Sequence, residues 1–395
     1  MSLGVLTVIG LCGLAGPLLS VAGRDYVPVV VGEILAGALI GRNGLDAIDP
    51  ANPTLAFLGE IGFGMLMFSA GLNVPLREPQ LRSALGTGAT AAALVTALAA
   101  GAGAAISEID AVGHPAVYAV LIASGSAAIV LPVLEERRLS GRAVLTVMAQ
   151  VTVADIAATL AVPLVLRPAH AGAAIAGSVI VALSVLALLG ASHILRGRAW
   201  LHELRRLGKR RRWALDLRVA LIVLFGLGWL AQRTGASLLI AGFGTGLMVA
   251  LIGGPKRLST EVLGIAGGFF IPLFFVVLGA GLDLGGLFED PAMLGLAAAL
   301  AALNVAAHLL GASATRQQGA AGLVASAQMG VPAALIALGV PAHVITPKQA
   351  TAIIAAALIS ILACSAGAGR LRTRVGETAE TAEAAEIRME PRRSP

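Results

Sequence analysis

Apolar runs of about 17–25 residues recur along the whole chain, and very few charges interrupt them. A run of that length crosses a bilayer as a helix, because a helix satisfies its own backbone hydrogen bonds where no water is available. The runs lack the period-2 alternation of a membrane-barrel strand. Only 13% of the 395 residues are charged and 57% are hydrophobic, too little polar surface to cover a soluble core. An all-α polytopic membrane protein is the expected fold class. The 49 glycines suit such a bundle, since small residues let helix backbones approach closely. Cys12 and Cys364 both fall inside apolar runs and form neither a disulfide framework nor a metal-ligand spacing.

Thirteen segments are expected to span: 3–22, 27–42, 54–73, 83–106, 115–134, 143–166, 172–195, 214–231, 236–253, 261–282, 291–311, 319–340 and 347–369. The first lacks a basic leader region, so it reads as a retained helix. With the N-terminus outside, the cytoplasmic loops and C-terminus hold 24 of the 28 Lys and Arg residues. The other face then carries only Arg42, Arg167, Arg233 and Lys348, an asymmetry that orients the chain in a cell inner membrane. The basic cluster RGRAWLHELRRLGKRRRWALDLR (196–218) is expected to lie against anionic headgroups, with Trp200 and Trp213 as interfacial anchors, and not to bind nucleic acid. Residues 371–395 are a cytoplasmic tail whose GETAETAEAAEIRMEPRRSP stretch (376–395) is expected to be disordered.

Similar stretches recur half a chain apart. AGLN (70–73) matches AGLD (280–283) at an offset of 210, and GEILAGALIG (32–41) resembles AGFGTGLMVA (241–250) at an offset of 209. ASGSAAIVLP (123–132) resembles ASAQMGVPAA (325–334). The implied layout is one membrane domain over 1–370, with six-helix repeats at about 3–166 and 214–369 joined by a linker helix at 172–195. A single linker helix inverts the second repeat relative to the first. Inverted repeats are a transporter architecture, with the binding site near mid-membrane at discontinuous helices. The fifth and twelfth segments are the expected breaks. Ser124-Gly125-Ser126 with Pro132, and Ser326-Ala327-Gln328 with Gly330 and Pro332, make poor helix interiors.

In the same order, VPVVVGEILAGALIGRNGL (27–45), LGEIGFGMLMFSAGLNV (58–74), SGSAAIVLPVLEERRLSGR (124–142), DIAATLAVPLV (155–165) and PLFFVVLGAGLDL (272–284) resemble elements of the monovalent cation:proton antiporter family, in its Kef-type and related members with a sodium/proton exchanger membrane domain. The similarity covers roughly residues 5–370. It implies a core domain with two crossed, broken helices and a panel-like domain that forms a homodimer. It also implies exchange of Na⁺ or K⁺ for H⁺ by alternating access, without a cofactor.

Asp155 lies near the middle of the sixth segment, where an ionised carboxylate costs at least about 2.5–3.5 kcal/mol unless a cavity or partner relieves it. A carboxylate withdrawn from water holds a proton more readily. Its oxygens also suit a hard alkali cation, so one group that cannot hold both couples the two ions by competition. Thr152 and Thr159 share its helix face. Ser124, Ser126, Ser326 and Gln328 are expected to add oxygens from the breaks. No metal is expected beyond the transported cation. Two features depart from the family pattern: Ala154 stands where relatives carry Asn, Asp or Gln, and the tenth segment has no charge in GGFFIPLFFVVLGAG (267–281). A solitary carboxylate points to electroneutral one-for-one exchange. Glu33, Asn304 and His308 are accessory candidates, and GFGTG (242–246) reads as helix packing, since no strand precedes it. The other readings are transport of another solute on the same scaffold, or potassium efflux with a separate regulatory subunit. No nucleophile–base set supports an enzyme.

Overall fold

A computed structural model describes residues 2–22, 29–41, 44–72, 79–109, 114–195, 198, 203, 206, 207, 211, 213–252 and 262–371. Arg42, Asn73, Trp200, most of the basic cluster and residues 372–395 lie outside the described residues. Among the described residues there is no strand. In chain order the helices are α1 (Leu3–Ala22), α2 (Val29–Ile40), α3 (Pro53–Leu72), α4 (Pro79–Ile109), α5 (Pro115–Ala123), α6 (Ala127–Glu136), α7 (Arg142–Leu166) and α8 (Ala171–Leu195). There follow α9 (Leu215–Thr234), α10 (Leu238–Ile252), α11 (Val262–Ala280), α12 (Leu284–Glu289), α13 (Pro291–Ala314), α14 (Gly319–Ala325), α15 (Gly330–Gly339) and α16 (Pro347–Arg370).

Among the described residues, ten helical spans, α14–α15 taken as one, are long and apolar enough to cross a membrane. The second and ninth expected segments are the shorter apolar helices α2 and α10, and the fifth is the interrupted pair α5–α6. Local chemistry explains several starts. Pro53, Pro115, Pro291 and Pro347 occupy first turns, where a missing N–H costs nothing. Asp290 Oδ1 accepts the Ala292 N–H ahead of α13, and Thr346 with Gln349 forms a capping box ahead of α16. Gly235, in the left-handed region at φ 75°, closes α9.

The helices pack as two groups. In one, α1 lies on α2, α2 on α11, α3 on α10 and on α11, and α9 on α10. In the other, α4 lies on α5 and α7, α13 on α14 and α16, and α4 on α13. The two principal crossings of the first group depend on glycines from both partners. A Cβ on Gly37 would collide with the Val276 carbonyl, and one on Gly279 with the Ile34 carbonyl. The α3–α10 crossing repeats this, with Gly71 against the Phe243 carbonyl and Gly246 against the Phe68 carbonyl. The GEILAG and GFGTG stretches therefore bring backbones into contact.

α11 contains a feature absent from the expectations, a π turn over Ala266–Phe270. One extra residue in a turn rotates the following side chains by about 100° relative to an uninterrupted α-helix. The residues just beyond it include Ile271 and Phe275, which line the same cavity as Asp155.

Candidate functional site

Both expected breaks are present, each limited to a few residues. α5 ends at Ala123, Ser124 is extended (φ −73°, ψ 153°), and α6 begins at Ala127. α14 ends at Ala325, and Met329 (φ −154°, ψ −44°) precedes α15. Pro132 and Pro332 lie within α6 and α15, so the helices stop at the Ser-containing segments and not at the prolines. The breaks meet each other: Ser124 Oγ lies 2.8 Å from Gln328 Oε1 and also 2.8 Å from the Leu121 carbonyl, and its single proton serves one at a time.

Asp155 is the fourteenth residue of the 25 in α7 and is buried. Its Oδ2 accepts the Ala127 N–H at 3.4 Å, so the first free donor of α6 points at the carboxylate. Helix N-termini carry partial positive charge, which favours an anion at this position. Asp155 lines a cavity of about 180 Å³ between the two helix groups. Ser126, Thr159 and Gly330 line it from the group containing α7, and Ser69, Ala70 and Phe243 from the other. Among the described residues lining the cavity Asp155 is the one ionisable side chain, so the charge of this site rests on one carboxylate amid neutral oxygens.

The other expected residues divide by position. Ser126 and Thr159 share the cavity with Asp155. Ser124 and Gln328 join the breaks to each other. Thr152 is buried on α7, and among the described residues its Oγ1 has no hydrogen-bond partner. Ser326 Oγ donates to the Leu323 carbonyl of its own helix, and its backbone carbonyl accepts from Asn304 Nδ2 at 2.8 Å. Asn304 thus braces the second break from α13. His308 Nδ1 donates to the Asn304 carbonyl at 2.9 Å, a bond within α13. Glu33 is buried at the α1–α2 crossing, where a Cβ on Gly16 would touch its Cγ, and it does not line the cavity.

Two residues escaped sequence reasoning. Ser69 is the hydroxyl that α3 contributes to the cavity; it lies inside LGEIGFGMLMFSAGLNV (58–74), a stretch read for its family resemblance, and just before the repeated AGLN (70–73). Ser360 on α16 accepts the Gln328 N–H at 3.2 Å. The available signal was one hydroxyl in the apolar run AAALISILAC on the helix after a break. A second cavity of about 500 Å³ includes Glu60, Arg167 and Gln232 in its lining. Phe63 and Phe274, with ring centroids 5.4 Å apart, line that larger cavity, whereas Phe275 lines the cavity of Asp155.

The sodium/hydrogen exchanger transmembrane family model matches residues 6–367. Among relatives, the Bacillus subtilis protein YjbQ, named for Na⁺/H⁺ antiport, is 25% identical over 310 residues, covering 74% of this chain and 50% of that protein. The glutathione-regulated potassium-efflux system protein KefC of Cronobacter sakazakii is 29% identical over 290 residues, covering 71% of this chain and 45% of that protein. The chain spans about half the length of these relatives. The solved structure of the sodium proton antiporter MjNhaP1 from Methanocaldococcus jannaschii at pH 8 superposes with a TM-score of 0.61 at 17% identity, covering 91% of this chain and 94% of that one, and so has the same fold. The apolar helical architecture and the match over nearly the whole described bundle place this chain in the sodium/hydrogen exchanger family, a multi-pass membrane protein of the monovalent cation:proton antiporter kind.

Proposed function

We propose that this chain is a secondary antiporter exchanging Na⁺ or K⁺ for H⁺, with Asp155 holding either the proton or the cation. One observation carries the reading: a buried carboxylate lies where two helix breaks meet, in a cavity lined by both helix groups. Ser126, Thr159 and Ser69 supply neutral oxygens there. When the cation leaves, a proton replaces it, and the site is neutral in both loaded forms. Exchange is then electroneutral, one ion for one.

Alternating access follows from relative movement of the two helix groups, which exposes Asp155 to each side in turn. The packing scheme supports the inverted-repeat reading. Exchanging the halves turns the α3–α10 contact into the α2–α11 contact, α4–α7 into α13–α16, and α1–α2 into α9–α10. On this reading all thirteen segments cross, with the N-terminus outside, the C-terminus cytoplasmic, and the protein a homodimer in the inner membrane.

Proteoliposomes with an imposed pH gradient test the proposal. Adding Na⁺, K⁺ or Li⁺ should move protons through the wild type and not through Asp155→Asn. Proton movement that survives the substitution refutes the assignment of Asp155, and a rate that follows imposed voltage refutes electroneutrality. Similarity to a protein named for potassium efflux favours a second reading, K⁺ release governed by a separate regulatory subunit. A response confined to K⁺ would select it.

A further inference from the structure

The two breaks are braced in the same way by different chemistry. At the first, the Ala127 N–H reaches Asp155 Oδ2 at 3.4 Å. At the second, the Gln328 N–H reaches Ser360 Oγ at 3.2 Å. Each acceptor sits on the long helix that follows the broken one, α7 after α6 and α16 after α15. Ser360 is fully buried, and its own proton is committed to the Ala357 carbonyl at 2.6 Å. Its lone pairs are left to accept. The Gln328 side chain then reaches Ser124, two residues before the cavity-lining Ser126.

We propose that Ser360 is a positioning residue for cation binding. By accepting the Gln328 N–H it fixes the second break, and through Gln328 and Ser124 it sets the placement of the first break beside Asp155. The hydroxyl does this without touching the ion. A carboxylate could accept the same N–H, but it would add a second group able to hold a proton or cation. A serine keeps the second break mechanically like the first and electrically silent. The inference rests on the reading of Asp155 given above.

The test uses the full chain as wild type, Ser360→Ala and Ser360→Thr. In proteoliposomes, Ser360→Ala should raise the half-saturating cation concentration about three- to tenfold, with the maximal rate held within about twofold. Ser360→Thr, which keeps a hydroxyl, should stay within about twofold of wild type in both. Hydrogen–deuterium exchange of the peptide covering 326–330 should be about tenfold faster in Ser360→Ala alone. An unchanged half-saturation, or unchanged exchange, overturns the proposal. So does a fall in rate and melting temperature at constant half-saturation, which marks a purely structural serine. Wild-type vesicles that move no protons with any cation would sink the antiport reading instead, and the exchange measurement would then decide the Ser360 bond by itself.

Discussion

The break at Ser124–Ser126 and the break at Ser326–Gln328 share a plan. Each interrupts a helix for a few residues, and each places a backbone N–H on a side chain of the following long helix. They differ in charge: the first acceptor is the carboxylate of Asp155, the second the hydroxyl of Ser360. They differ also in bracing, since Asn304 holds the Ser326 carbonyl in the second. The difference teaches that unwinding a helix in a bundle and placing a charge there are separable tasks. Backbone groups freed by the break need partners, and neutral groups suffice. A buried charge carries a penalty that the hydroxyl of Ser360 avoids.

The strongest way to break this comparison is to neutralise the first acceptor. Asp155→Asn keeps a carbonyl oxygen for the Ala127 N–H, so the break should persist while cation-driven proton movement falls to background in the dequenching assay. Activity at that position without a carboxylate would mean the two breaks are equivalent. In the wild type, one group serving both ions predicts that the half-saturating cation concentration rises about tenfold per pH unit in acid, where the proton wins the competition. A flat dependence would separate the proton site from the cation site.

A smaller effect probes the joint between the breaks. Ser124→Ala and Gln328→Ala each remove the same hydrogen bond, and such bonds in membrane proteins are worth about 0.6 kcal/mol on average and about 1.7 at most. Each should weaken cation binding by about two- to twentyfold, and the double variant should be no worse than the weaker single one. Additive losses would show that the breaks act independently. The smallest expected effect is at Glu33, which packs against Gly16 away from the cavity. Glu33→Gln should change half-saturation by less than about twofold in the same assay.

Much of the bundle was legible in the chain. The apolar runs located its helices to within a few residues, because hydrocarbon thickness sets their length. The Ser- and Gly-containing breaks were legible because those residues are poor helix interiors. Pro332 did not mark the break itself: it lies in the first turn of α15, where no N–H is needed. The π turn of α11 was not anticipated: Gly267-Gly268 and Pro272 weaken the helix there without specifying the kind of irregularity, and the turn sits where Gly62 of α3 meets the Phe270 carbonyl.

The site divides along the same line. Asp155 announced itself, because one carboxylate in the middle of a long apolar run carries an energetic cost visible without coordinates. Its neighbours did so only in part. Ser126 and Thr159, both expected, line the cavity, as does Ser69, which was not expected, while Thr152, on the expected helix face, does not line it. Ser360 looked like any hydroxyl bonded back to its own helix, and it does make that bond. Sequence by itself determined that this chain is a helical membrane protein with a costly charge in the middle of its sixth segment and two weak points, since those follow from local composition and the bilayer. Which oxygens surround the charge, and which hydroxyl braces the second break, only the tertiary structure decided. These contacts join residues such as Ser124 and Gln328, 204 positions apart, and no local pattern encodes a distance across the bundle.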